Sequence, residues 1–277
     1  MPVKQNPILT TASSIGSSAL MQDSRALQAV DSLPVRQVPL TQPLVWLARG
    51  WADLCRCPVP GLLHGLAAAM FGGLLILVAR DRYWLLSGAF SGFLLVAPLL
   101  ATGLYAVSRE LEHGRRACLR TAIRTWRPRD HRLVVFGLLL ALAGSGWVVT
   151  SAALVIGFVG QPLPTPADFV RVVVIGGHGH LFEVWLALGG LMAAPMFAST
   201  VATIPLLLDR DVSVKAAVLT SVRAVMFNPA PMALWALLIL ALTLFGGLLM
   251  LAGLVVVVPW LAHSSWHAYR DVLPDVR

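Results

Sequence analysis

Charge is scarce in this chain. Asp, Glu, Lys and Arg make up 12% of its 277 residues, where soluble globular domains carry about 25%. With 57% hydrophobic residues and a mean hydropathy of +0.78, a water-soluble fold would lack the polar surface to cover its apolar mass. Cysteine is scarce too. Cys55, Cys57 and Cys118 are odd in number, and Cys55-Arg56-Cys57 lacks the two-residue gap of redox or zinc pairs, which excludes a disulfide framework. They read as free thiols facing a reducing cytoplasm. No phosphate-binding loop, HExxH motif or Ser-His-Asp order occurs. Residues 1–40 hold no apolar run of signal-peptide type; rich in Ser, Thr, Gln and Pro, they read as a disordered cytoplasmic tail.

What is present is apolar sequence in long runs. A spanning helix needs about 20 apolar residues. Candidates run from Gly61 to Ala79, from Trp84 to about Val107, from Leu133 to Phe158 and from Leu181 to Leu208. A fifth apolar region, Pro231 to Tyr269, is 39 residues long. As one helix it would measure about 58 Å, against a hydrocarbon core of about 30 Å. Gly246-Gly247 is where a turn is expected, giving a short fifth span to Phe245 and a sixth from Leu248 to about Tyr269. One long tilted helix, hence five spans, is the alternative. The expected fold is therefore all-α: a polytopic transmembrane helical bundle of about six spans, arranged as three hairpins with cytoplasmic interfacial helices. It occupies residues 41–270 and is followed by a short cytoplasmic tail, 271–277.

The net charge is +8. Of 21 Lys and Arg, 18 fall in the first 59 residues, the 109–132 loop, the 209–230 segment and the C-terminus, which the six-span reading places on one side. This is the positive-inside pattern. It puts the N-terminus in the cytoplasm and makes nucleic acid an unneeded partner. Charge within the spans is confined to their ends, at Glu183 and at Arg109, Glu110 and Glu112, which argues against an ion-coupled carrier.

Three spans carry a late proline: Pro98, Pro205 and Pro259. These mark expected helix breaks. Each odd span follows an amphipathic stretch ending at Cys57-Pro58, Arg127-Pro128 or Asn228-Pro229. The repeated unit is an interfacial helix, a span, and a span with proline. In the middle copy Leu119, Ala122, Ile123 and Trp126 share one face, and Arg116, Arg120 and Arg124 form a stripe on another. This pattern places a helix at the headgroup level, its arginines toward anionic lipid phosphates. Val214, Val218 and Val222 give the third such helix a weaker stripe.

Histidine supplies the candidate metal ligands. His263 and His267, spaced i,i+4, share a helix face, and His64 lies one turn into the first span, on the same side in the six-span reading. The three could hold a metal; alternatively they hydrogen-bond backbone or headgroups. His178 and His180, within Gly177-His178-Gly179-His180, lie on a glycine-rich outer loop. Gly88-x-x-x-Gly92, Gly189-Gly190 and Ala193-Ala194 offer close helix packing.

Several motifs carry a family resemblance. They are Arg49-Gly50-Trp51, Gly92-Phe93-Leu94-Leu95 through Pro98 to Gly103-Leu104-Tyr105, and Ser108-Arg109-x-x-Glu112-x-Gly114. They continue with Pro205-Leu206-Leu207-x-Asp209-Arg210, Thr220-Ser221-Val222, Asn228-Pro229 and Pro259-x-x-x-His263-x-x-Trp266-His267-x-Tyr269-Arg270. Together, over about residues 45 to 270, they resemble a bacterial integral membrane family known as domain of unknown function 2189. The resemblance implies a multi-pass protein of the bacterial inner membrane and no established activity. Some members carry a cytochrome c oxidase label, which suggests a respiratory oxidase complex as a partner. The spans hold no mid-bilayer histidine cluster of the kind a catalytic oxidase subunit needs.

The expected function is that of a non-enzymatic scaffold or accessory protein with no cofactor. Two alternatives remain. One is a transporter or lipid-handling protein with a polar cavity lined by Ser91, Thr102, Ser199 or Thr203. The other is a respiratory accessory protein binding haem or metal through His64, His263 and His267.

Overall fold

The computed structural model describes residues 33–79, 101–125, 131–160, 165–176, 179–249 and 251–275, together with Gln28, Val30 and Leu163. Among the described residues the regular structure is helical. In chain order the helices are α1 (Gln42–Arg56), α2 (Pro58–Ala79), α3 (101–112), α4 (Leu119–Thr125) and α5 (His131–Val159). After them come α6 (Pro166–Phe169), which runs into a π-helical turn at Val170–Ile175, then α7 (Leu181–Thr200), α8 (Thr203–Asp209), α9 (Val214–Phe227), α10 (Pro229–Leu248) and α11 (Leu254–Val272).

Four described stretches are long and apolar enough to cross a membrane: Pro58–Leu75, His131–Val159, Leu181–Asp209 and Pro229–Leu248. Their outer faces are lined with exposed leucines, among them Leu66 and Leu74 on α2, Leu138 and Leu142 on α5, Leu191 on α7, and Leu237 and Leu244 on α10. Apolar exposure on this scale has no place against water and suits hydrocarbon. Trp84 to Leu100, with Pro98, lies outside the described residues; the rest of that run emerges as α3.

The last apolar region differs from both readings of the sequence. It is not one helix. α10 ends at Leu248, past the expected Gly246-Gly247, and α11 starts at Leu254, with Leu251 at a φ of 66°. Gly246 serves packing instead: a Cβ on Gly253 would meet the Gly246 backbone at 2.7 Å. The following helix starts at Leu254 rather than Leu248, and its apolar part is short.

The prolines act unequally. Pro205 lies just past an interruption. Its ring would clash with the carbonyl four residues back, Val201, and α7 gives way to α8 at Val201-Ala202. Ser221 of α9 mends the break: its Oγ accepts the Ala202 N–H at 3.1 Å and donates to the Ala198 carbonyl at 2.7 Å. Pro259 breaks nothing. It lies within α11, which continues to Val272. Pro259 offers the Val255 carbonyl no N–H, and α2 covers that carbonyl, because a Cβ on Gly65 would collide with the Val255 C=O.

α11 packs most extensively against α1 and α2. Glycine makes the approach possible. A Cβ on Gly50 of α1 would meet the Ser264 amide nitrogen at 2.6 Å, and one on Gly61 of α2 would meet the Pro259 ring at 3.2 Å. The core joins Trp46, Trp235, Trp266, Tyr269, Leu206 and Phe136, with Trp46 and Trp235 edge to face at 5.7 Å.

The described parts of both expected tails are packed against the helices. Leu33 belongs to the core, and the Arg36 N–H donates to the Val272 carbonyl at 2.9 Å, so residues 33–40 are not a free tail. Nor are residues 271–275, since Leu273 is fully buried. An extended segment lying against the last turn of a helix satisfies carbonyls that the helix leaves open.

Candidate functional site

The helix ends that carry charge gather at one end of the molecule, around the last two turns of α11. Asp271 is the hub toward the N-terminal segment. Its carboxylate accepts from Gln42 Nε2 at 2.6 Å, the Trp46 indole at 2.9 Å and the Arg49 guanidinium at 3.1 Å. Arg270 faces the other way. It donates to Glu112 at 3.0 Å and, through two parallel bonds of 2.7 Å, to Asp275. Paired N–H donors of this kind give the strongest charge-assisted contacts. They hold the Arg270 guanidinium above its ordinary range and the Asp275 carboxyl below its own. Glu112 also accepts the Trp266 indole at 3.0 Å, and Asp209 accepts the Tyr269 hydroxyl at 2.7 Å. Arg210 donates to the carbonyls of Leu273 and Pro274. α1, α3, α8 and α11 are thereby fastened together.

The three sequence-predicted histidines approach one another here, and each has its own bond. His267 Nε2 pairs with the Asp53 carboxylate at 2.9 Å. His263 Nδ1 meets Ser108 Oγ at 2.7 Å, and His64 Nδ1 meets the Pro60 carbonyl at 2.6 Å. Asp53 and His263 are buried. A buried carboxylate needs a hydrogen-bonding partner, and His267 provides it. Among the described residues no group of three or more His, Cys, Asp and Glu has the geometry to hold a metal. Beside the Asp53–His267 pair lies a pocket of about 170 Å³ lined by Arg49, Ala52, Asp53, Arg56, Leu111, Glu112 and His267.

Of the expected basic helix the structure describes Leu119–Thr125 as α4, and Arg116 lies before its first turn. Arg116, Arg120 and Arg124 are exposed, Ala122 is buried and Ile123 is half exposed; Trp126 lies outside the described residues. At the opposite end of α5 and α7, Trp185 donates to Ser151 at 2.7 Å and packs on Trp147 and Phe169. His180 is exposed there, while His178 is outside the described residues. Gly189 receives the Trp147 ring, whereas Gly190 faces open space. Gly88, Gly92 and Ser91 are outside the described residues. Thr203 donates to the backbone carbonyls of Ser199 and Ala217, and Ser199 to that of Met196. Both hydroxyls are thus engaged with backbone carbonyls, Ser199 within α7 and Thr203 with α7 and α9.

Sequence reasoning missed Asp53, Ser108 and Asp271. One signal was available for Asp53. It follows Trp46 and Gly50 at helical spacing on the buried face of an amphipathic helix, where an unpaired carboxylate would not be tolerated.

The family model described as "Predicted integral membrane protein (DUF2189)" matches residues 85–209. The resemblance is therefore shown over a little less than half of the chain. The motifs around Arg49-Gly50-Trp51 and from Thr220 to Arg270 fall beyond the match. No curated protein and no solved structure matches the chain. With its apolar helices, the match identifies a multi-pass integral membrane protein.

Proposed function

We propose that the chain is a non-enzymatic scaffold or accessory protein of a bacterial inner membrane. In this reading six spans pair as three hairpins, and both ends and the basic α4 lie on the cytoplasmic side. One observation carries the reading. At the polar end Arg49 of α1, Arg109 and Glu112 of α3, Asp209 of α8 and Arg270 and Asp271 of α11 join helices to one another, while Arg120 and Arg124 on α4, and Arg116 just before it, stay exposed. An ion network of this kind fixes a shape; an exposed arginine stripe offers a surface to anionic headgroups. Two further features support the shared side. Arg132, at the start of α5, donates to Asp211 at 2.8 Å. The start of α10 and the end of α11 both border the 33–38 segment, through Asn228 and Val272.

The test is purification of the native membrane complex in mild detergent, with mass spectrometry and metal analysis. The expected outcome is a reproducible membrane-protein partner, a respiratory oxidase being the first to look for, and a chain free of haem and metal. A Soret band or stoichiometric metal in the isolated chain would overturn the non-enzymatic reading.

A further inference from the structure

We propose that Cys118 and Cys57 are a hydroperoxide-responsive thiol pair, Cys118 reacting first and Cys57 resolving it into an intramolecular disulfide. Cys57 is the single residue between α1 and α2, buried in a small apolar cluster with Val107 and Ala122. Its Sγ donates to the Ala117 carbonyl at 3.2 Å, so its sulfur lies against the residue that precedes Cys118. Cys118 itself is exposed. Its Sγ is 3.8 Å from the Thr121 hydroxyl. One thiol faces solvent and the other waits beneath it, the arrangement of a reacting and a resolving cysteine.

The electrostatics divide the two roles. The Thr121 amide and hydroxyl, then the Arg120 amide, hold the Cys118 thiol below the ordinary cysteine range. Burial, and then the nearby Cys118, push the Cys57 thiol up. The thiolate is the reactive form, so Cys118 supplies the nucleophile and Cys57 stays protonated until Cys118 has changed. Cys55 is exposed and takes no part.

The chemistry balances with a hydroperoxide as oxidant. The Cys118 thiolate attacks the distal peroxide oxygen; an S–O bond forms, the O–O bond breaks, and the leaving oxygen takes a proton to depart as water or an alcohol. Cys57 then gives up its proton and attacks the Cys118 sulfur. The S–S bond forms, the S–O bond breaks, and hydroxide leaves as water with that proton. Two thiols lose two electrons and the peroxide gains them. The bond would tie the α1–α2 junction to the base of the arginine-bearing α4, whose position relative to the bundle would then follow the redox state.

The test uses the full chain in detergent with Cys55→Ser, treated with hydrogen peroxide and followed by intact mass and peptide mapping. The expected result is loss of two hydrogens, a Cys57–Cys118 cross-linked peptide, and reversal by a dithiol. Cys57→Ser should leave Cys118 as a sulfenic acid that dimedone traps. Cys118→Ser should slow oxidation of Cys57 about tenfold or more, since its buried thiol holds little thiolate. Persistence of both thiols, disulfides between chains only, or an unchanged Cys57 rate in Cys118→Ser overturns the proposal.

Discussion

The Trp46 indole donates to the Asp271 carboxylate across 2.9 Å, tying α1 to the last turn of α11. Asp271 accepts from Gln42 and Arg49 as well, so removing it strands several donors at once. Asp271→Ala should lower stability in detergent by about 2–4 kcal/mol, because donors left without an acceptor lose their hydrogen bonds and remain partly buried. Arg36→Ala removes an exposed side chain that donates to the Asp271 backbone carbonyl at 2.8 Å and stands 3.9 Å from its carboxylate, and should cost no more than about 1 kcal/mol. Thermal unfolding of the two purified variants separates them; equal shifts would contradict the hub role of Asp271.

Gly65 is expected to be irreplaceable. An added methyl would collide with the Val255 carbonyl and lie 2.7 Å from its Cα, at the seam where Pro259 leaves that carbonyl without a helical donor. Gly65→Ala should destabilise by about 1–3 kcal/mol through overpacking. Gly73→Ala, on the same helix with open space around it, should be near neutral. A neutral Gly65→Ala would mean that α2 and α11 are less closely fitted.

Asn228 should matter more than its loop position suggests. It accepts the Val38 N–H at 2.9 Å and donates to the carbonyls of Arg36 and Ala224. Its backbone, at φ −131° and ψ 51°, nearly repeats that of Cys57 at φ −139° and ψ 69°. Asn228→Ala should cost about 1–3 kcal/mol, and protease should cut more readily within residues 33–40. Unchanged proteolysis would show that this segment is held by its other contacts alone.

Much of this arrangement was legible in the sequence. The Cys57-Pro58 and Asn228-Pro229 junctions stand where a helix gives way to a proline-led span, because proline fits the first helical turn and lacks only an N–H that is unpaired there anyway. The break near Pro205 was legible for the same reason in reverse. Pro259 was not, since whether an internal proline breaks a helix depends on what covers the stranded carbonyl, and Gly65 lies nearly two hundred positions away. The turn after α10 was misplaced because Gly246 looks like a turn glycine and serves as a contact glycine. The hydrogen-bond partners of His267 and His263, Asp53 and Ser108, come from helices whose packing no local spacing reveals.

Acidification should loosen the C-terminal turn. The Arg270 guanidinium holds the Asp275 carboxyl below its ordinary range, so the charged form is favoured in the folded protein. Its stabilising contribution is full at neutral pH, is present above the ordinary aspartate value of about 3.9, and fades as pH falls through the lowered folded value. Asp275→Asn should flatten this acid limb of a stability profile. An identical acid limb in wild type and variant would place the effect elsewhere.

The most direct measurement is membrane-impermeant maleimide labelling of single-cysteine chains in intact and inverted vesicles. Cys55 and Cys118 are exposed and serve as native reporters; His180→Cys and Asp275→Cys supply the other two. Six spans with both ends inside predict that positions 55, 118 and 275 label only from the cytoplasmic face and position 180 only from the opposite face. Labelling of position 275 from the same face as position 180, or of 55 and 118 from different faces, would contradict it.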